Sequence, residues 1–111
     1  MAYDEEVAAR IRAAVAGEPG LSEQRMFGGL GFLVNGNMAV AASSKGGVLV
    51  RVDPQAGAEL LGGGVTPMEM RGRTMSGWLH ADATAVEAER DLKRLVEAGL
   101  SFARSLPPKR S

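Results

Sequence analysis

The sequence predicts an α+β domain, a two-layer fold in which helices cover one face of an antiparallel sheet, in the order α-βββ-α-ββ-α. Three observations predict it. Residues 30–52 form three short apolar runs parted by Asn35-Gly36-Asn37 and by the stretch Ser43 to Gly47. Asn-Gly between apolar runs signals a hairpin, because both residues tolerate the positive φ of a type I′ turn. Apolar residues at helical spacing open and close the chain: Val7, Ile11, Ala14 and Val15 near the start, then Val86, Leu92, Leu95, Val96, Leu100 and Ala103. A second pair of extended runs, 65–70 and 76–81, flanks the turn Arg71-Gly72-Arg73-Thr74.

A chain of 111 residues predicts one domain with one core, here residues 1–106, and a disordered tail over 107–111. Hydrophobic residues make up 45% but aromatics only 5%, so Val, Leu, Ala and Met must fill that core. Thirteen basic and thirteen acidic side chains cancel. Nucleic-acid binding draws most of its affinity from Lys and Arg on phosphates, so direct nucleic-acid binding is not expected. The lack of cysteine excludes disulfides, zinc–thiolate sites and thiol catalysis. An acidic start and the absence of an apolar run of membrane-spanning length predict a cytoplasmic protein with no membrane partner.

Taken in order, Asp4 caps the first helix, with Glu5 and Glu6 in the turn where the helix dipole favours acids. Glu6 and Arg10 form an i,i+4 pair, and Gly17-Glu18-Pro19-Gly20 ends the helix. Ser22 to Phe27 reads as a short extended segment leading into Gly28-Gly29. These glycines join extended chain to a strand and not to a helix N-terminus. They therefore predict a bulge or close strand approach, not a phosphate cradle. Alternation along the strands puts Leu30, Phe32 and Val34 on one face, as it does Met38, Val40 and Ala42, and Val48, Val50 and Val52. Leu49 and Arg51 are left on the other face.

Asp53-Pro54 starts a short helix that ends at Leu61, before Gly62-Gly63-Gly64. In the second hairpin, pairing Met70 with Met75 turns Met68, Met70, Met75 and Leu79 toward the core. Glu69, Trp78 and His80 then share the opposite side. Thr84-Ala85-Val86-Glu87 has the form of a capping box, and the helix it opens runs to Leu106, ahead of Pro107-Pro108. About 22 residues give this helix about 33 Å, against about 17–20 Å for a typical strand. It must cross the sheet diagonally or project beyond it.

His80 is the only histidine. One imidazole without cysteine is a poor basis for a metal site, and neither a metal nor a cofactor is expected. As a general base it would need an orienting acid and a nucleophile. Glu69, Asp82 and Ser76 could be assembled for that purpose, but such a set can be composed in almost any chain, and no catalytic residue is assigned. Trp78 either covers the edge of the core or anchors an interface, where Trp and Arg are enriched. The candidate binding residues are Arg51, Glu69, Arg71, Arg73, Trp78 and His80. A sheet face without helices needs polar residues or a partner, and Leu49 and Trp78 favour a partner, either another protein or a second copy. The expectation is a dimer that Trp78→Ala shifts toward monomer. The alternative is a small-ligand or catalytic pocket on that face, built from Arg51, Glu69, Trp78 and His80.

Several stretches together resemble the N-terminal domain of the TfoX/Sxy family of competence regulators. They are Arg25-Met26-Phe27-Gly28-Gly29, Gly31-Phe32, Leu49-Val50-Arg51-Val52, Met68 to Met70, Gly72-Arg73-Thr74-Met75, Ser76-Gly77-Trp78-Leu79 and Leu106-Pro107-Pro108-Lys109. The Gly-Arg-x-Met and Trp-Leu segments look like the single-domain bacterial members. The resemblance implies an α+β fold shared with type III secretion-chaperone-like domains, and a role in transcriptional or competence regulation. Two-domain members carry a separate C-terminal domain with helix-hairpin-helix-like elements, which this chain is expected to lack. The family supplies no catalytic residues to carry over. The resulting expectation is a non-enzymatic regulatory or protein-interaction module.

Overall fold

A computed structural model of the chain describes residues 3–26, 28–44, 46–55, 57–70 and 72–108. Helix α1 (Glu5–Ala14) is followed by strands β1 (Leu21–Met26), β2 (Gly29–Val34), β3 (Asn37–Ala42) and β4 (Val48–Arg51). A single 3-10 turn (Gly57–Leu60) leads to β5 (Val65–Met70), β6 (Arg73–Ala81) and helix α2 (Glu89–Ser105). The strands form one antiparallel sheet in the order β1-β2-β3-β4-β6-β5. The α+β class and the order of layers are as the sequence predicts. The extended segment before Gly28 is itself the first strand of the sheet.

Local chemistry accounts for most boundaries. The Asp4 carboxylate accepts from the Glu6 amide at 2.8 Å and so starts α1. Asn35 at φ 51° and Gly36 at φ 84° make the tight turn between β2 and β3, as Asn-Gly predicts. Leu30, Phe32, Val40, Val50 and Leu79 of the sheet pack against Ile11 of α1 and Leu92, Leu95 and Val96 of α2. Phe32, Ile11 and Leu92 are fully enclosed, each burial contributing about 1.5–3 kcal/mol. The 3-10 turn lies on the same side, with Gly57 against Val52 and Leu79.

Four expectations need correction. First, Met38 does not share a face with Val40 and Ala42. The register between β2 and β3 passes from Phe32↔Val40 to Leu33↔Met38, so Ala39 is an extra residue, a β-bulge. Ala39 and Val40 both enter the helix-side core, while the Met38 side chain ends over Gly31 on the opposite face. The bulge also brings the Ala39 carbonyl against α2 at Gly99, where a Cβ would have no room.

Second, between Pro67↔Leu79 and Glu69↔Thr74, residues 75–78 of β6 face only Met68 of β5. Gly77, at φ 83°, takes up the excess, and its carbonyl accepts from the Val52 amide at 2.8 Å. Thr66 pairs with His80, so alternation along β5 turns Met68 to the side of Trp78 and His80, away from Leu79. Arg71 and Phe27 lie outside the described residues, as do the side chains of Met70 and Met75.

Third, Thr84 does not cap the last helix. Asp82 accepts from the Ala85 amide at 2.9 Å and forms a turn that buries Ala85 and Val86. Ala88 is extended, at ψ 136°, so the helix starts only at Glu89. Its 17 residues span about 26 Å, which fits within extents of 32 × 30 × 28 Å without overhang. Likewise Asp53 starts no helix reaching Leu61: its carboxylate accepts from the Gln55 amide at 2.9 Å in a turn that precedes the single 3-10 turn Gly57–Leu60. Fourth, Arg10 turns from Glu6 to the Val86 carbonyl at 2.7 Å, with Glu89 at 3.5 Å. Beyond α2, the Pro107 carbonyl accepts from the buried Asn37 amide at 2.9 Å, and residues 109–111 lie outside the description.

Candidate functional site

Both helices and the 3-10 turn pack on one face of the sheet, and the other face carries three of the six candidate binding residues, Arg51, Trp78 and His80. Leu49 lies directly opposite His80 and Arg51 opposite Trp78, so these four share the helix-free face. Ala41, next to Leu49, and Gly31 continue the row toward β1, with Leu33 and Met38 beside them. Leu33 and Met38 are each 8% exposed and Ala41 4%, yet none belongs to the helix-side core. They form a separate apolar stripe. Exposed Ser22 and Gln24 border it on β1, as Thr66 does on β5.

Arg51 occupies a distinct position in this row. Pairing between β3 and β4 stops at Val40↔Val50, so Arg51 is the first residue of β4 without a β3 neighbour. Its guanidinium lies over two rings, 5.9 Å from the Trp78 centroid and 5.5 Å from that of Phe102 on α2. Such contacts are worth about 0.5–1 kcal/mol each where water has access. Among the described residues no carboxylate lies within ion-pair range of Arg51. Among the described residues no buried side-chain nitrogen lacks a partner, so the unbonded N–H edge of this guanidinium meets solvent. Trp78 is half-buried against it, neither sealed under a helix nor standing free. Phe102 was not singled out from the sequence. Its position one turn after Gly99, the glycine that lets α2 approach the sheet, is the available clue.

The other predicted residues do not converge on this point. His80 Nε2–H donates to the Gly46 carbonyl at 3.0 Å and ties the β3–β4 turn to β6. Asp82 is occupied by the Ala85 amide and does not orient the imidazole. Glu69 and Arg73 are exposed near the β5–β6 turn, paired with Thr74 and Met70 respectively. Among the described residues no group of His, Asp or Glu is arranged to hold a metal ion. An open cleft of about 420 Å³ lies elsewhere, between α1 and the turn before α2, lined by Asp4, Glu6, Arg10, Val86, Glu87 and Glu89 among others.

Two ion-pair groups tie helices to neighbouring segments. Arg104 reaches Glu18 at 2.6 Å and Glu97 at 2.9 Å, and its hydrogen bonds hold the Glu18 carboxyl below the usual carboxylate range. Arg12 grips both oxygens of Glu23 on β1 at 2.8 and 2.9 Å and lowers that carboxyl in the same way. Among the described residues no helix is long and apolar enough to cross a membrane.

A family model described as the TfoX N-terminal domain matches residues 13–103 of the 111-residue chain. The match runs from the end of α1 through most of α2 and includes every strand. No curated protein and no solved structure matches the chain.

Proposed function

The chain belongs to the TfoX N-terminal domain family, and from that premise we propose that it is a non-enzymatic regulatory module acting by protein contact through its helix-free sheet face. The observation that carries the reading is the composition of that face. Half-buried Leu49 and Trp78, backed by the buried Leu33 and Met38, are rimmed by polar Ser22, Gln24 and Thr66, the anatomy of a protein interface. Arg51 adds a cation that lies over two rings and has no anion in ion-pair range among the described residues. Arg and Trp together are the residues on which interface energy concentrates. Nothing in this arrangement requires a cofactor. The process served is transcriptional or competence regulation in the cytoplasm, in keeping with the family.

A photo-crosslinking amino acid at Leu49, compared with one at exposed Ser101 on α2, tests the reading in cells that produce the protein. A discrete protein adduct from position 49 but not from 101 is the expected result. Equal labelling from both positions, or none from 49, overturns it.

A further inference from the structure

The two edges of the sheet are not alike. Strand β5 carries Pro67, which has no amide to donate, beside an irregularity in its pairing with β6. Proline and irregular pairing are the means by which proteins blunt a sheet edge. Strand β1 has neither. It runs six residues in unbroken register with β2, from Leu21↔Val34 to Met26↔Gly29. It contains no proline or lysine, and among the described residues nothing pairs with its outer side.

The hydrogen-bond pattern says which backbone groups point outward. The Asn35 amide donates to the Gly20 carbonyl at 3.0 Å, so these opposed residues form a hydrogen-bonded pair. Such pairs alternate along an antiparallel ladder. Ser22, Gln24 and Met26 therefore bond to β2, while Leu21, Glu23 and Arg25 direct their N–H and C=O groups away from the sheet. A second copy added antiparallel to this edge, about a two-fold axis, must match outward residues with outward residues. Centred on Glu23, the arrangement sets Glu23 against Glu23; centred on Arg25, it sets Arg25 against Arg25. Both oppose like charges, which destabilises a strand pair. Centring on Gln24 sets each Glu23 against the other copy's Arg25, twice by symmetry. It also completes four backbone hydrogen bonds between Glu23 and Arg25 of the two chains. Arg25 is exposed and has no ion-pair partner among the described residues, whereas Glu23 already holds Arg12 and would share its carboxylate with the second copy's Arg25.

We propose that β1 is a self-association edge: two copies of this chain pair antiparallel through Leu21–Met26 in the register centred on Gln24. Each sheet contributes its six strands to one continuous layer, and the two helix-free faces lie side by side on it. The inference goes beyond the contact surface argued above and shares with it only the rim residues Ser22 and Gln24.

The full chain can be tested by sedimentation over a dilution series and by thiol trapping. Arg25→Glu and Glu23→Arg each oppose like charges twice, so each alone weakens the dimer by about tenfold or more. An equimolar mixture of the two variants opposes unlike charges at both positions and restores the dimer. Unaltered circular dichroism confirms that each variant is folded. The chain has no cysteine of its own, so Gln24→Cys gives an independent reading of the register. Its two thiols meet across the axis at about 4.5 Å between Cα atoms, within disulfide range, and oxidation links them. Ser22→Cys places its pair about four residues apart along the strands and remains unlinked. A wild-type chain that stays monomeric at every concentration, or linkage of Ser22→Cys as fast as Gln24→Cys, overturns the inference. Neither result bears on the adduct at Leu49, which is read separately.

Discussion

The contact between Gly99 and the bulge at Ala39 gives a sharp test of how α2 is seated. A Cβ at Gly99 would collide with the Ala39 carbonyl oxygen, stand 3.0 Å from its carbon and lie 3.4 Å from Val50 Cγ1. In a helix interior, Gly→Ala normally adds about 1 kcal/mol of stability. Here the obstacle is the backbone of a bulge, held by the paired residues Met38 and Val40 on either side of it in the chain, and it cannot rotate away like a side chain. Overpacking of this kind costs about 1–3 kcal/mol, and contact with a backbone oxygen belongs at the upper end. Subtracting the propensity gain from about 3 kcal/mol leaves Gly99→Ala destabilised by about 2 kcal/mol. At roughly 4 °C per kcal/mol for a domain of this size, calorimetry should show Tm lower by about 8 °C. Urea unfolding should show a lower midpoint at unchanged slope. Ser101→Ala, exposed on the same helix, is the control and should raise stability by a few tenths of a kcal/mol. If Gly99→Ala matches that control, α2 does not rest on the Ala39 backbone and the account of the bulge is wrong.

Three further outcomes follow from the observed contacts. Asp82→Ala removes the acceptor for the Ala85 amide and should cost about 1 kcal/mol, whereas Thr84→Ala should stay within about 0.5 kcal/mol; equal losses in urea unfolding would restore Thr84 as the cap. Asn37→Ala deletes a buried donor to the Pro107 carbonyl and should cost about 1–2 kcal/mol, read as a shift in the urea midpoint at constant slope. Glu18 and Glu23 have carboxyls held below their ordinary value by Arg104 and Arg12. A depressed carboxylate contributes stability that is present above the unfolded value, 4.5, and lost as pH falls through the folded one. Stability should therefore drop as pH is lowered below 4.5, and Glu18→Gln should flatten that decline. With Arg104 43% exposed the effect is small, under about 1 kcal/mol, and an unchanged acid limb would refute the coupling.

The parts of the fold that were legible in the sequence are those fixed by short-range chemistry. Asn35-Gly36 has the φ values its turn type demands, and the apolar spacing around Ile11 and Leu95 marks the buried faces of both helices. What failed depended on strand register. Alternation assumes one residue per step, and the extra Ala39 turned Met38 to the opposite face, because β3 must bend to bring its backbone under Gly99. In the same way a capping box at Thr84 is locally sound, but Asp82 accepts from the Ala85 amide to close a separate turn, and the extended Ala88 delays the helix to Glu89. Arg51 and Trp78 were legible as neighbours through the period of the strands. Phe102 was not, since nothing in a helix sequence says that one of its rings meets an arginine where two strands part.

The β1 edge shows how far residue types can be present without being readable. Glu23, Gln24 and Arg25 stand in plain order in the sequence and suggest nothing but a solvated strand. Their charges become selective only when the bond from Asn35 to Gly20 fixes which backbone groups face outward, because that phase excludes every register pairing an outward residue with an inward one. Of the registers left that bring together Glu23 and Arg25 of both copies, one joins unlike charges. The order of the three residues thus specifies a partner orientation through backbone geometry. Exchanging the two ends, Glu23→Arg with Arg25→Glu in one chain, keeps that complementarity between copies at the loss of the Arg12–Glu23 ion pair within each, and should still dimerise more tightly than either single change, whereas Gln24→Glu puts a like-charge pair on the axis and should weaken the dimer.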